Sequence, residues 1–285
     1  MSKLKIALQK SGRLSEDSFR LLKECGVKFQ NGSGQLIATS TNFPLEILLL
    51  RDDDIPPYVE QSVADIGIVG ENMVLESQKR VVISKKLGFS KCRLSLAVPK
   101  KEAYQGLESL KNKKVATSFP HILSTYFKAK NIPVNIETIS GSVEIAPGIG
   151  LADAIGDIVS TGSTLFSNGL KEVEKVMDSQ AVLIKAPQLN KTKQIFLEQL
   201  LFRIRAVQKA KASKYILLNA PNSRLEEIIK ILPGMKSPTI LPLATSGWSS
   251  LHSVIAEDTF WEKIDALKMA QAEGILIVPI EKMIL

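Results

Sequence analysis

The residues whose types and spacing best suit a chemical task lie between Glu144 and Leu165. Here an apolar segment carries an embedded acid, Asp157, and runs directly into Ser160-Thr161-Gly162-Ser163-Thr164. Glycine lets the backbone approach a ligand closely, and successive N–H groups and hydroxyls can converge on phosphate oxygens. Since Asp157 lies just upstream, its carboxylate can reach the hydroxyls of a sugar whose phosphate occupies the loop. The pattern predicts a sugar-phosphate site, with an ordinary loop as the alternative.

Two other segments place charges after predicted strands. Gln9-Lys10-Ser11-Gly12-Arg13 brings two cations and a glycine to a strand-to-helix turn, which suits a phosphate or pyrophosphate, although a solvated loop explains it equally well. In Arg51-Asp52-Asp53-Asp54-Ile55-Pro56 three acids follow an apolar run. They could bind Mg²⁺ through one or two carboxylates, or Asp54 could cap a helix beginning before Pro56.

The pattern around the remaining reactive side chains indicates structural or exposed residues. His121 and His252 are the only histidines, and neither has neighbours that complete a catalytic triad or a metal set. Cys25 and Cys92 offer no disulfide framework and no metal spacing, so we expect buried thiols in a reducing cytoplasm. The glycines of 65–71 indicate a close backbone approach, to a packed neighbour or to a ligand.

Composition narrows the class of protein. The chain has 285 residues, 45% hydrophobic and 23% charged, which allows two or three domains of an ordinary soluble protein. No segment approaches the roughly 18 apolar residues of a membrane span, and the N-terminus lacks a signal-peptide pattern. The net charge of +8 could serve nucleic acid or a phosphorylated small substrate. Because the lysines are dispersed and aromatics make up only 6%, we expect small-molecule ligands rather than nucleic acid. The lack of an apolar span and of a signal-peptide pattern predicts a cytoplasmic protein without membrane partners.

The elements that must position these residues alternate between strands and helices, which predicts an α/β fold. Strands are predicted at Lys3–Gln9, Leu45–Leu50, Ala64–Val69, Lys114–Thr117, Val134–Ile139 and Ala154–Val159. Ser15 is predicted to cap the first helix and Gly26 to end it, while Pro120 begins a later helix. Ser142 is predicted to cap a helix that Pro147 shortens. From about Lys113 a second α/β domain is inserted into the first, leaving a cleft faced by the carboxyl ends of strands.

The last third has the order βαββαβ, which predicts a ferredoxin-like module. Its elements are strand Lys214–Asn219, helix Arg224–Leu232, strands Pro238–Leu243 and Leu251–Glu257, helix Thr259–Met269 and strand Ile275–Val278. Ser246-Gly247 marks the hairpin between the middle strands. The exposed strand edges suit pairing with another subunit.

The stretch from Glu144 to Leu165 resembles the signature of ATP phosphoribosyltransferases. The matching positions are Glu144, Gly150, Ala152, Ile155, Asp157-Ile158, Thr161-Gly162, Thr164 and Leu165. Further segments similar to the family are Gln9–Arg13, Arg51–Pro56, Gly70–Asn72, Cys92–Leu96, Ala116–Pro120, Ser213–Tyr215, Thr239–Leu243 and Pro279–Met283. The C-terminal βαββαβ unit resembles the regulatory domain of the long form of this family.

The resemblance implies a two-lobed catalytic part, similar to periplasmic binding proteins, and a C-terminal regulatory domain. Lobe I would comprise 1–95 with about 178–205, lobe II 96–177 and the regulatory domain 210–285. The implied reaction joins ATP and 5-phosphoribosyl 1-pyrophosphate into N1-(5-phosphoribosyl)-ATP and pyrophosphate, the first step of histidine biosynthesis. Histidine would inhibit it, with an active dimer, an inhibited hexamer and no separate regulatory subunit. A non-catalytic two-lobed protein that binds a phosphorylated metabolite is the alternative.

The resemblance also implies roles for residues. The 5-phosphate would be held by Ser160, Thr161, Gly162, Ser163 and Thr164, and the ribose by Glu144 and Asp157. Asp153 lies on the same predicted strand face as Asp157 and is expected to join them, although the family signature does not specify its position. ATP or pyrophosphate would contact Gln9, Lys10, Arg13, Arg51 and Asp52. Of these site residues, Lys10, Arg13 and Asp157 would be catalytic. Mg²⁺ would arrive with the pyrophosphate rather than in a protein cage, and histidine would contact Thr239, Leu241 and Ser253.

Overall fold

The computed structural model describes residues 3–30 and 35–284. Its strands are β1 Leu4–Gln9, β2 Phe29–Gln30, β3 Ile37–Ser40, β4 Leu45–Leu50, β5 Ile66–Gly70, β6 Val82–Lys86, β7 Cys92–Pro99, β8 Lys114–Thr117, β9 Asn135–Thr138, β10 Ala154–Val159, β11 Leu170–Ser179, β12 Ala181–Lys185, β13 Ser213–Pro221, β14 Thr239–Pro242, β15 Trp248–Ala256 and β16 Glu273–Pro279. Its helices are α1 Arg13–Glu24, α2 Ile55–Glu60, α3 Glu71–Ser77, α4 Pro120–Ala129, α5 Ser163–Ser167, α6 Lys191–Lys211, α7 Leu225–Ile231 and α8 Glu257–Met269. Short 3-10 turns occupy Leu107–Leu110, Val143–Ile145 and Asn222–Arg224.

The first sheet has the strand order β2-β3-β4-β1-β5-β12-β6. Its centre is parallel, since β1 pairs with β4 and β5 in the same direction. In β1 the side chains of Leu4, Ile6, Ala7 and Leu8 are all fully buried. A nearly continuous apolar run of this kind is typical of a strand covered on both faces. The loops after β1 and β4 therefore emerge together at one edge of this sheet.

The second sheet has the order β11-β7-β10-β8-β9 and is built from the segment inserted between β6 and β12. β10 lies at its centre, antiparallel to β7 and parallel to β8. A side chain at Gly156 would collide with Leu123 of α4, so this glycine permits α4 to pack closely on β10. Gly67 likewise lies against Ile55 of α2, which identifies packing as the reason for that glycine.

Two predicted helix caps are wrong. α1 begins at Arg13, so Ser15 is a buried residue inside the first turn rather than the cap. Ser142 precedes a three-residue 3-10 turn, and its side chain makes no capping hydrogen bond. The predicted end of α1 is confirmed: Gly26 has φ +75°, and the Val27 N–H donates to the Leu22 carbonyl at 3.0 Å.

The third sheet has the order β14-β15-β13-β16, with every neighbouring pair antiparallel. Together with α7 and α8 this is the predicted ferredoxin-like arrangement. Ile216, Leu218 and Leu251 lie on the face that packs against Phe260 and Leu267 of α8. The opposite face of the sheet carries the alternate residues of each strand.

The chain divides into two compact units. The first comprises residues up to Lys23 and Val27–Leu197, and it holds the first two sheets. The second comprises Glu24–Gly26 and residues from Glu198 onward, and it holds the third sheet. No helix in the described part of the chain has the length and apolar character that a membrane span requires.

Candidate functional site

The phosphate loop, defined as Ser160–Thr164, follows the carboxyl end of β10. Gly162 has φ +83°, a left-handed conformation in which glycine avoids the strain of a side chain, and α5 begins at the next residue. The Thr161 and Ser163 hydroxyls lie 3.0 Å apart. Val159 and Leu165 are buried on either side of the loop. The loop is therefore anchored at both ends by apolar packing, while its hydroxyls remain exposed.

A pocket of about 260 Å³ joins the phosphate loop to the two predicted ribose-binding acids. Its lining includes Glu144, Asp157 and loop residues. Glu144 lies in the 3-10 turn Val143–Ile145, and Val143 packs in the same apolar cluster as Val159 and Leu165. This shared cluster fixes the turn against the loop. The structure thus brings together residues that sequence reasoning assigned to one site.

The surroundings of Asp157 disfavour its charged form. Burial raises the pKa of this carboxyl group, and the nearby Glu144 carboxylate raises it further, while the Ile158 N–H lowers it. That N–H donates to Asp157 Oδ1 at 2.7 Å. No basic side chain of the described residues forms an ion pair with Asp157. Its remaining oxygen can accept hydrogen bonds from a ligand.

The structure does not bring Asp153 into this pocket. Asp153 lies just before β10, at the opposite end of the strand from the phosphate loop. Its Oδ2 accepts the Lys114 N–H at 2.8 Å, and its Oδ1 lies 3.5 Å from Lys113 Nζ. Asp153 and Asp157 share a face of the strand, but four residues correspond to about 13 Å along it. Asp153 therefore fixes the start of β8 and does not line the pocket.

The first sheet contributes a second group of predicted residues, at the carboxyl ends of β1 and β4. The Lys10 N–H donates to the Leu50 carbonyl at 2.8 Å, which joins the two loops. Lys10 and Arg13 are exposed, and Arg13 begins α1. Arg51 is exposed, and its Nε lies 3.2 Å from Asp53 Oδ1. Three cationic side chains thus follow the carboxyl ends of β1 and β4.

The acids after β4 do not assemble as a metal cage. Asp54 occupies the N-cap position of α2 but makes no side-chain capping bond. Asp52 Oδ1 accepts the Asp53 N–H at 3.1 Å. Across residues 3–30 and 35–284, no group of three or more His, Cys, Asp or Glu side chains is arranged to hold a metal ion.

A cavity of about 230 Å³ lies between the two sheets of the first unit. Residues from the first sheet and its helices line one side, and residues from the second sheet line the other. The lining comprises Gln9, Leu14, Asp52, Gly70, Asn72, Met73, Ser90, Cys92, Phe119, Ile158, Ser179 and Ala181. Since Ile158 also lines the pocket at the phosphate loop, the two spaces adjoin. The predicted cleft is therefore present, and Gln9 and Asp52 face it.

Sequence reasoning missed the ion pair that lies behind the phosphate loop. Arg93 of β7 binds Glu172 of β11 through two nitrogens, and its Nη1 lies 3.5 Å from the Ser160 carbonyl oxygen. The Ser95 hydroxyl donates to Glu172 at 2.7 Å. The hydrogen bond from Arg93 lowers the pKa of Glu172. No spacing in the sequence could identify a pair that forms only when β7 and β11 become neighbours.

The cysteine expectation holds for one thiol. Cys25 is buried, but Cys92 is only half-buried and lines the cleft cavity. Burial still raises the pKa of the Cys92 thiol above its ordinary value. Both histidines have a polar side chain within hydrogen-bonding distance, as expected of structural residues. His121 Nε2 lies 2.9 Å from Gln78 Nε2, and His252 Nδ1 lies 2.9 Å from the Tyr215 hydroxyl.

The residues predicted to contact histidine lie on both faces of the third sheet. Thr239 pairs with His252 across β14 and β15, on the face away from the helices, and Leu241 shares that face. Ser253 lies on the helix-covered face, opposite Ile216. Its buried hydroxyl has no hydrogen-bond partner among the described residues. The sheet therefore separates Ser253 from the other two.

Known proteins match nearly the whole chain. The family model described as ATP phosphoribosyltransferase matches residues 51–206, and the one described as HisG, C-terminal domain matches residues 210–282. The ATP phosphoribosyltransferase of Cytophaga hutchinsonii is 58% identical over 281 residues, covering 99% of this chain and 98% of the relative. That of Bacteroides fragilis is 55% identical over 282 residues, covering 99% and 100%.

A solved structure agrees with these matches. The ATP phosphoribosyl transferase (HisG:HisZ) complex from Thermotoga maritima aligns with a TM-score of 0.61 and 31% identity, covering 71% of this chain and 98% of that chain. The family resemblance drawn from the sequence is thereby confirmed. The chain belongs to the ATP phosphoribosyltransferase family.

Proposed function

We propose that this chain joins ATP to 5-phosphoribosyl 1-pyrophosphate, giving N1-(5-phosphoribosyl)-ATP and pyrophosphate in the first step of histidine biosynthesis. The observation that carries the proposal is the pocket formed by Glu144, Asp157 and the phosphate loop. It combines two ribose acceptors with a phosphate cradle and lies within the matched family segment. The adjoining cleft cavity offers room for a second substrate.

The phosphate loop holds the 5-phosphate in this proposal. Thr161, Gly162, Ser163 and Thr164 supply N–H groups and hydroxyls, with Ser160 at the loop's start. Asp157 and Glu144 accept hydrogen bonds from the ribose hydroxyls. This role requires Asp157 in its charged form, and hydroxyl donors from the sugar compensate for the partners that it lacks in the free chain.

The edge of the first sheet binds ATP and the leaving pyrophosphate. Lys10, Arg13 and Arg51 neutralise phosphate charge, while Gln9 and Asp52 contact the substrate from the cleft wall. N1 of adenine attacks C1′ of the ribose, the bond from C1′ to the pyrophosphate oxygen breaks, and its electron pair leaves with pyrophosphate. Catalysis rests on alignment of the two substrates and on stabilisation of the departing charge.

We also propose that Mg²⁺ enters the site together with the pyrophosphate group. The donors available near the phosphate loop are Glu144 and Asp157, and one or two carboxylates beside substrate phosphates suit Mg²⁺. When bound, the ion offsets negative charge on the pyrophosphate. The protein's own contribution at the phosphate loop is to place the ribose and its 5-phosphate.

A direct assay tests the function. The purified chain is mixed with ATP, phosphoribosyl pyrophosphate and Mg²⁺, and the chromophore of N1-substituted adenine is followed alongside pyrophosphate release. We expect both signals to rise together. A chain that binds either substrate but gives neither signal would instead be a non-catalytic binding protein.

We further propose a division into catalytic lobes (1–95 with about 178–205, and 96–177) and a regulatory domain (210–285). The match of residues 210–282 to the HisG C-terminal domain supports histidine feedback on this chain itself, without a separate regulatory subunit. We propose an active dimer, a histidine-inhibited hexamer and a cytoplasmic location. Sedimentation with and without histidine tests the assembly.

The two faces of the third sheet give a sharp test of where histidine binds. Thr239→Ala and Leu241→Ala alter the open face, and Ser253→Ala alters the helix-covered face. Loss of inhibition in the first pair alone assigns histidine to the open face, and loss in Ser253→Ala alone assigns it to the other. Unchanged inhibition in all three variants would contradict the proposed contacts.

A further inference from the structure

A carboxylate on α3, a helix beside the first sheet, caps α4, a helix beside the second sheet. Glu76 of α3 accepts the His121 N–H at 2.9 Å on Oε1 and the Ile122 N–H at 3.0 Å on Oε2. These amides lie in the first turn of α4, where N–H groups have no partner within the helix. Since Pro120 carries no N–H, Glu76 satisfies both donors that this turn presents before Leu123, which donates to the Phe119 carbonyl.

α3 makes other contacts with the part of the unit that holds the second sheet. Met73 packs against the apolar clusters of both sheets. The Asn72 N–H donates to the Ser179 hydroxyl at 3.1 Å, at the end of β11. Gln78, just after α3, lies 2.9 Å from the His121 imidazole. Glu76 is therefore the charged member of a larger contact between the two halves of the cleft.

From α4 a short chain of contacts leads to the sugar-phosphate site. The Thr117 hydroxyl accepts the Phe119 N–H at 2.9 Å and donates to the Gly156 carbonyl at 2.6 Å. Leu123 packs directly on Gly156. Asp157 is the next residue. The first turn of α4, which Glu76 holds, thus rests on the strand position immediately before the proposed ribose acceptor.

We propose that Glu76 is a positioning residue for the transfer reaction. By holding α4 from the first sheet, it sets how the ribose half of the site faces the ATP half across the cleft. The reacting nitrogen and carbon belong to substrates bound on opposite sides, so their alignment depends on this contact. The inference rests on the proposed division of the site between the two sheets.

The test compares Glu76→Ala and Glu76→Gln with a matched control, Glu60→Ala. Glu60 also accepts a backbone N–H, from Arg80 at 2.9 Å. Unlike Glu76 and its partners, Glu60 and Arg80 both belong to the part of the unit that holds the first sheet. Steady-state kinetics with each substrate, hydrogen exchange of the amides at 119–123 and thermal unfolding are measured for all three variants and the unaltered chain.

We expect Glu76→Ala to lower kcat about tenfold with much smaller changes in either KM, because misalignment affects the reacting atoms more than the binding of each substrate. Exchange at His121 and Ile122 should rise in the same variant. Glu76→Gln retains one acceptor oxygen and should recover most of kcat. Glu60→Ala should keep kcat within about twofold, since its contact does not cross the cleft.

Wild-type kcat in a folded Glu76→Ala variant, or an equal loss of kcat in Glu60→Ala, would overturn the positioning role. If Glu76→Ala does not fold, Glu76→Gln decides. A fall in kcat that accompanies raised exchange at His121 and Ile122 supports the role, and wild-type kcat with raised exchange refutes it. Absence of turnover in the unaltered chain would contradict the proposed function itself, so the two failures are distinguishable.

Discussion

One acid lies just before β10 and another lies near its end, and the surroundings of the two differ sharply. Asp153, at the start, is exposed and bound to a backbone N–H and a lysine. Asp157, near the end, is half-buried beside a second acid and has no cationic partner among the described residues. The two residues share a strand face, so the chemistry of an acid here depends on its position along the strand. An acid whose charge is left uncompensated points to a ligand more reliably than one that the fold already neutralises.

The largest effect should come from Asp157→Asn, which removes the charge but keeps an oxygen for the Ile158 N–H. We expect kcat/KM to fall at least about a hundredfold, because the ribose loses its principal acceptor. Pyrophosphate release measures this effect. Near-normal release would remove the distinction between the two ends of the strand.

The same variant should be more stable than the unaltered chain at neutral pH. Burial and Glu144 raise the pKa of Asp157, so the folded chain binds this proton more readily than the unfolded chain. The contribution of this group to stability therefore falls as pH rises from the ordinary carboxyl pKa through the raised folded value. Asparagine removes that loss, and Tm at pH 7 should rise. A lower Tm would mean that Asp157 serves the fold rather than the ligand.

Gly162→Ala should have a smaller effect, since it strains the phosphate loop without removing a charge. At φ +83° a side chain costs about 1–2 kcal/mol, so we expect lower stability and a KM for phosphoribosyl pyrophosphate raised about tenfold. Gly148→Ala is the matched control, because that glycine does not have positive φ and a Cβ there would meet only the Ile145 carbonyl at 3.4 Å. Equal effects in both variants would argue against a specific loop conformation.

Glu144→Gln tests whether the two acids beside the phosphate loop are coupled, through the pH dependence of kcat/KM. Glu144 raises the pKa of Asp157, though less than burial does, so its removal should shift the acid limb of kcat/KM to lower pH. The direction follows because Asp157 must be ionised to accept ribose hydroxyls. A shift to higher pH, or no shift with Asp157 still essential, would show that the two acids are not coupled.

Asp153→Asn should give the smallest effect. Its oxygen can still accept the Lys114 N–H, and the exposed pair with Lys113 contributes about 0–1 kcal/mol. We expect kcat/KM to stay within about twofold of the unaltered chain. A loss comparable to that of Asp157→Asn would restore Asp153 to the site and contradict the placement of its side chain.

Local patterns predicted the elements that carry the site. The apolar runs of the six-residue strands β1, β4 and β10 identify these strands alone. The shorter β8 was predicted as well, and Pro120 marks the start of α4 as expected. β7 and β11 were not predicted, although they complete the sheet behind the phosphate loop. β11 is a charged edge strand with two register shifts, so its conformation depends on its pairing with β7.

The errors at single residues have the same origin. Strand periodicity places Asp153 and Asp157 on one face, but it says nothing of the distance from the loop. Ser15 has the right residue type for a cap, yet the turn at Gly12 starts the helix earlier and buries the hydroxyl. The Arg93–Glu172 pair and the Glu76 cap join distant segments, and only tertiary structure reveals such contacts.

β12 can join the first sheet only late in the synthesis of the polypeptide chain. β12 (Ala181–Lys185) pairs with both β5 and β6, after the whole second sheet has been made along the chain. Until it arrives, β5 has one unpaired edge, although Ile66, Ile68 and Val69 are fully buried in the finished protein. A chain emerging from the ribosome can therefore complete its first sheet only after the strands of its second sheet have been synthesised. In that interval the open edge of β5 is available for mispairing with other strands.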